Sequence, residues 1–205
     1  MRARQVVVLL LVAAVAAMLY RWRGCSEAPV VDLPSNVQEC ASNLSRIYAA
    51  LVLYPERSPD ERWPKESGVR FLAALIASGT LADTPENRAL LTCPGPGAAP
   101  VPESVDYDAL EKLTSADSAY AARDMTAFPL AKFPSGGAEI EPLVACDNEH
   151  GLNHDGCMNV LYSDGSVSTL FLDEEIERGN LPAGSKTIQV GRDSPIADLR
   201  KLTRD

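Results

Sequence analysis

The stretch NHDGCMNVLYSDGSVSTLFL, residues 153–172, carries the reading of the fold. Residues 157–163 and 166–172 flank Asp164-Gly165, a pair that favours the tight turn of a β-hairpin. Met158, Val160 and Tyr162 alternate with other residues and so share one strand face. Residues 157–172 are therefore expected to form an antiparallel hairpin. Just upstream, the apolar run 143–146 adds a strand, joined to the hairpin by a polar loop at 147–156. Downstream, Asp173 is expected to cap a helix of one to two turns that Gly179 closes. A strand over 187–190 and a short helix capped by Ser194-Pro195 are expected after it.

Ahead of residue 94 the period is helical. Ser35 with Gln38 three residues later is a capping-box pattern. Val37, Cys40, Leu44, Ile47, Leu51 and Tyr54 then recur in steps of three and four, which predicts an amphipathic helix that packs on a partner and ends at Pro55. A second helix is expected over about 67–78, with Gly79 as its stop. A third, short one is opened by Thr84-Pro85-Glu86 and runs into Cys93-Pro94. Pro94, Pro96, Pro100 and Pro102 make a loop, and 105–139 offers only a helical turn near 106–113 and a short strand near Tyr120. Residues 35–205 are thus expected to form the body of the chain, with helices first and strands after.

Residues 1–34 have another character. Residues 6–20 form an unbroken run of 15 apolar residues, with Arg2 and Arg4 before it and Arg21, Trp22 and Arg23 after it. As a helix this run rises about 22 Å, against a hydrocarbon core of about 30 Å, and snorkelling arginines with interfacial Tyr20 and Trp22 extend its reach. Residues 1–24 are therefore expected to anchor the chain in the membrane through 5–23, with 25–34 as a linker carrying Pro29 and Pro34. A signal peptide cleaved near Ala14-Val15-Ala16 is the alternative, and lipidation at Cys25 a further one. All place the body outside the inner (cytoplasmic) membrane, as a single-pass or released protein.

The charge follows the same division. The chain of 205 residues carries 19 basic and 28 acidic groups, a net −9. Four of the basic groups lie within the first 23 residues, so the remainder stands at −13. A body that acidic repels phosphate backbones, and nucleic acid is excluded as a partner.

Chemistry is confined to few residues. The two histidines, His150 and His154, share one loop, and Cys146-x3-His150-x3-His154-x2-Cys157 holds four zinc-type ligands at a non-standard spacing. Asp147, His150, His154, Asp155 and Cys157 are thus the candidate metal ligands. Calcium on Asp147, Asp155 or Asp164 is the oxygen-ligand version. Against this stands a simpler expectation for an exported body: Cys40, Cys93, Cys146 and Cys157 form disulfides, Cys146–Cys157 foremost. No nucleophile elbow or glycine-rich phosphate loop accompanies His154, so no enzyme, catalytic residue, cofactor or small-molecule substrate is expected.

The interval from His154 through nine residues to Asp164-Gly165 resembles the H-X9-DG signature of the bacterial type II secretion pseudopilin-like proteins. Cys40-Ala41-Ser42-Asn43-Leu44, Trp63-Pro64, Cys93-Pro94 and residues 190–195 are similar to further elements of that family, discontinuously over 38–195. The resemblance implies a pilin-like α+β fold, with an N-terminal helix laid across a small antiparallel sheet and a C-terminal hairpin. It implies architectural roles for His154, Asp164 and Gly165, the histidine loop packing beside the Asp-Gly turn. Its prepilin processing site and the glutamate within the apolar run are missing here. The expected function is that of a non-enzymatic, membrane-anchored extracytoplasmic structural or interaction protein, with pilin-like or secretion components as partners. A metal-binding exported domain is the second expectation and a hydrolase centred on His154 the third.

Overall fold

Helix α1 (Ser35–Arg57) buries Val37, Cys40, Leu44, Ile47, Ala50, Leu51 and Tyr54 along one side. This is the seam its spacing predicts. Its start differs from the expected capping box: Pro34 is the flanking residue, and its carbonyl receives the amides of Val37 and Gln38. At the other end the helix runs two residues past Pro55. A proline in the last turn deprives only one carbonyl of its partner, and the Ser58 amide closes the turn on Tyr54.

The computed structural model describes residues 33–58, 61–95, 105–130, 139–146 and 154–205. The expected anchor and most of the linker lie outside these residues, as do Asp147 and His150. Among the described residues no helix is long and apolar enough to cross a membrane.

Two shorter helices follow, α2 (Val69–Ala77) and α3 (Pro85–Leu90). Thr84 caps α3 by accepting from the Asn87 amide, with Pro85 in the first turn, as expected. After two single 3-10 turns the chain enters the sheet: β1 (Tyr120–Arg123), β2 (Pro142–Cys146), β3 (Cys157–Tyr162) and β4 (Val167–Phe171). A six-residue helix, α4 (Leu172–Glu177), leads to the tail and to a two-residue strand, β5 (Leu202–Thr203). The strand order is β4-β3-β2-β1-β5, antiparallel throughout. The protein is thus α+β, with a long helix packed on a five-stranded antiparallel sheet.

The register assigns the two sheet faces. Tyr120 pairs with Cys146, Ala122 with Val144, and Val144 with Leu161, so these side chains and Asn159 share the α1 side. Ala145 and Val160 pair on the opposite side, with Ala121 and Met158 in line. The tail covers that side, burying Leu181, Ile188 and Leu199, and placing Asp198 beside the Tyr162 phenol. Burial and then that carboxylate push Tyr162 up to about 12. The expected strand over 187–190 does not form. Ile188 enters the core as a single buried side chain from irregular backbone.

At the hairpin, Ser163, Asp164 and Gly165 make the loop, with the Gly165 amide on the Tyr162 carbonyl and the Tyr162 amide on the Ser166 carbonyl. Gly165 has φ +87, the left-handed conformation that this three-residue loop requires. A Cβ there would lie 2.6 Å from the Tyr48 ring of α1. Gly165→Ala is expected to cost about 1–2 kcal/mol, from backbone strain and a displaced but movable ring. A urea midpoint lowered at unchanged slope checks it.

Candidate functional site: a buried cysteine and histidine cluster

Four parts of the fold converge at the start of α1. Cys40 lies one turn into the apolar seam, which aims its sulfur at the sheet. Cys93 follows α3 in a segment tied to β1: the Ser118 hydroxyl donates to the Leu91 carbonyl, and the Ala119 amide donates to Thr92 Oγ1. Cys146 ends β2 opposite Tyr120. His154 stands just before Gly156 and β3.

One ligand atom from each of Cys40, Cys93, Cys146 and His154 lies within 4.8 Å of all the others. The sulfurs of Cys40 and Cys146 are 2.9 Å apart, and Cys93 Sγ is 3.2 Å from His154 Nε2. The other ring nitrogen, Nδ1, meets the Asn36 side-chain amide at 3.2 Å. The Gly95 amide donates to Cys93 Sγ at 3.4 Å, and the Tyr120 hydroxyl lies 3.7 Å from Cys40 Sγ. None of the four residues is more than 2% exposed. A cleft of about 340 Å³ between α1 and α3, lined by Glu39, Asn43, Arg46 and Cys93 among others, reaches the cluster from outside.

The electrostatics single out one sulfur. Thiol contacts from Cys146 and then Cys93 hold the Cys40 thiol far below its ordinary range, against the burial that opposes ionisation. Burial, followed by the contact with Cys40, pushes Cys146 up. Cys93 is drawn down by Cys146, yet Cys40 and burial outweigh that and leave it raised. Contacts among the three thiols thus set Cys40 apart from the other two. A nucleophilic cysteine needs the reverse for Cys93: a lowered thiol within reach of a substrate.

The expected site residues divide on this geometry. Cys40, Cys93, Cys146 and His154 come together, while Cys157 is outside the set. Cys146 Sγ lies against Cys40 Sγ at 2.9 Å rather than Cys157, and no disulfide joins the cysteines of the described residues. The register accounts for this, because setting Ala145 opposite Val160 carries Cys157 past the end of β2. Asp155 is exposed beside the cluster. Asp164 is exposed at the far end of β3, about 20 Å of strand away from His154, where it accepts from the Ser166 amide and hydroxyl. The histidine therefore does not pack beside the Asp-Gly turn; the nine intervening residues hold the two apart. Asn36 and Tyr120 complete the cluster unannounced by any motif. The sequence signals for the cluster were Cys40 on the buried seam and the Cys146–His154 loop with its zinc-type ligands.

No protein-family model, curated protein or solved structure matches the chain.

Proposed function

We propose that the chain is a membrane-anchored, extracytoplasmic, non-enzymatic pilin-like protein with a structural or interaction role. The observation that carries this reading is how α1 lies along β3. The Asn36 amide meets His154, the Val37 carbonyl accepts from the buried Asn159 side chain, and Tyr48 covers Gly165. Both ends of the H-X9-DG interval and its middle thus touch one helix, so the interval spans the contact between helix and sheet. That is an architectural use of the signature. The 15-residue apolar run ahead of this head supports the anchor, and the −13 body supports a location away from nucleic acid. Its partners on this reading are other pilin-like or secretion components at the inner membrane.

Fractionation of a bacterial host producing the full chain tests the reading. The protein should stay in the membrane after alkaline carbonate extraction, at the mass of the uncleaved chain. Protease added to spheroplasts should remove the head. A head protected from that protease, or a chain found in the soluble cytoplasm, would overturn the proposal.

A further inference from the structure

We propose that Cys40, Cys93, Cys146 and His154 are the four ligands of a structural zinc ion, bound through three sulfurs and Nε2. Zinc at about 2.3 Å from sulfur and 2.0–2.1 Å from nitrogen sets tetrahedral ligand atoms roughly 3.5–3.8 Å apart. The observed separations, from 2.9 Å to within 4.8 Å, bracket those values. Side-chain shifts of under about 1 Å close the tetrahedron. Sulfur and imidazole donors in this ratio suit zinc rather than calcium or magnesium, which take oxygen. Four protein ligands with no exposed face mark a structural ion rather than a catalytic one.

The surroundings supply what such an ion needs. The Asn36 amide nitrogen faces Nδ1; with that amide flipped its oxygen would accept from Nδ1–H, and the ring would present the Nε2 lone pair to the sulfurs. The Gly95 amide at Cys93 Sγ and the hydroxyl at Cys40 Sγ are donors to thiolates. The cleft along α1 and α3 leads to Cys93. On binding, Zn²⁺ exchanges its waters for the four ligands, and the thiol protons of the three cysteines pass to solvent. A Cys40–Cys146 disulfide is the competing use of the same atoms. It would leave Cys93 Sγ with His154 Nε2 and the Gly95 amide as its polar contacts, and would give the convergence of Cys93 and His154 on the other two sulfurs no role.

The test uses the full chain, purified in detergent without chelator. Elemental analysis should find about one zinc per chain. Once the chain is stripped and reduced, Co²⁺ added alone should give the intense visible bands of a tetrahedral sulfur-rich site. Cys93→Ser and His154→Ala should each lower bound zinc to under about a tenth of wild type. His154→Cys keeps four soft ligands and should retain it, as should Cys157→Ser. Asn36→Leu should weaken zinc about 10–100-fold at full stoichiometry, as expected of a positioning residue. Should the ligand variants fail to fold, the wild type decides: chelator should lower its thermal midpoint and zinc restore it. A midpoint unmoved by either, a chain that takes up no zinc, wild-type zinc in His154→Ala, or a Cys40–Cys146 disulfide in unreduced protein would each overturn the proposal.

Discussion

Arg123→Ala is expected to destabilise the head by about 3–5 kcal/mol, as expected when a buried ion pair loses one partner. The Arg123 side chain is 4% exposed, at the end of β1 on the face covered by the tail. Its Nε donates to the Phe128 carbonyl at 2.7 Å, and one terminal nitrogen donates to Glu141 at 2.9 Å and to the Pro142 carbonyl at 3.1 Å. Truncation leaves two carbonyls without this donor, and Glu141 with Lys201 as its one remaining cation among these contacts. Arg123→Lys should recover less than half, because a single ammonium cannot span the Phe128 carbonyl and the carboxylate together. Urea unfolding measures both.

The same residue predicts a pH dependence. Burial works to raise the Glu141 carboxyl, but Lys201 and Arg123 overcome it and hold the group below its ordinary value. A carboxyl depressed in the folded state contributes stability that is present above its unfolded value of about 4.3 and is lost as pH falls through the folded one. With Arg123 gone the folded value moves towards the unfolded one, so less stability is lost on acidification, and the gap between Arg123→Ala and wild type should narrow below about pH 4. A gap unchanged by acid would contradict the assignment.

Gly68→Ala is the second large effect, expected at about 2–4 kcal/mol from strain and overpacking together. Gly68 precedes α2 with φ +58 and ψ −136, a conformation that L side chains rarely adopt. A Cβ would sit 2.6 Å from the Arg204 carbonyl carbon and oxygen. That obstacle is backbone, unlike the ring facing Gly165. It is also in use: the Arg204 carbonyl accepts from the Val69 amide, its side chain donates to the Ser115 and Ser118 carbonyls, and the Gly68 amide donates to the Arg123 carbonyl. Moving it loosens the start of α2 and the β5 edge at once. A lower urea midpoint with faster amide exchange at Val69 checks this, and an unchanged exchange rate there would show that the clash is relieved elsewhere.

What was legible in the sequence was local. The α1 seam, the Asp164-Gly165 hairpin, the α3 cap and the strand at Tyr120 each rest on neighbours within a few residues, and each stands in the structure. The start and end of α1 shifted by a residue or two, because backbone carbonyls did what Ser35 and Pro55 were expected to do. β5 was not foreseen, since two residues show no period. Ile188 misled, because an isolated buried side chain and a strand look alike over four residues. The members of the site were singled out in the sequence, but in two other groupings: the cysteines as disulfide partners and His154 as a ligand with its loop neighbours. Cys146 and Cys157 are near in sequence and invited pairing, yet register separates them. Cys40, Cys93 and Cys146 meet from three elements, and no spacing rule announces a convergence made by topology.

The position of the cluster along α1 has a mechanical consequence. A pull on the head from its N-terminal side enters at Pro34 and reaches α1 first at Asn36, Val37 and Cys40. These residues are held by His154 just ahead of β3, by Asn159 on β3 and by Cys146 at the end of the neighbouring β2. Helix and β3 run in the same direction, with residue 36 beside 154 and Tyr48 beside Gly165, so such a load shears their contact along its length rather than peeling it open. The clasp of sulfur and imidazole sits at the loaded end of that shear plane. It is where a crosslink would do most to keep a tugged domain folded.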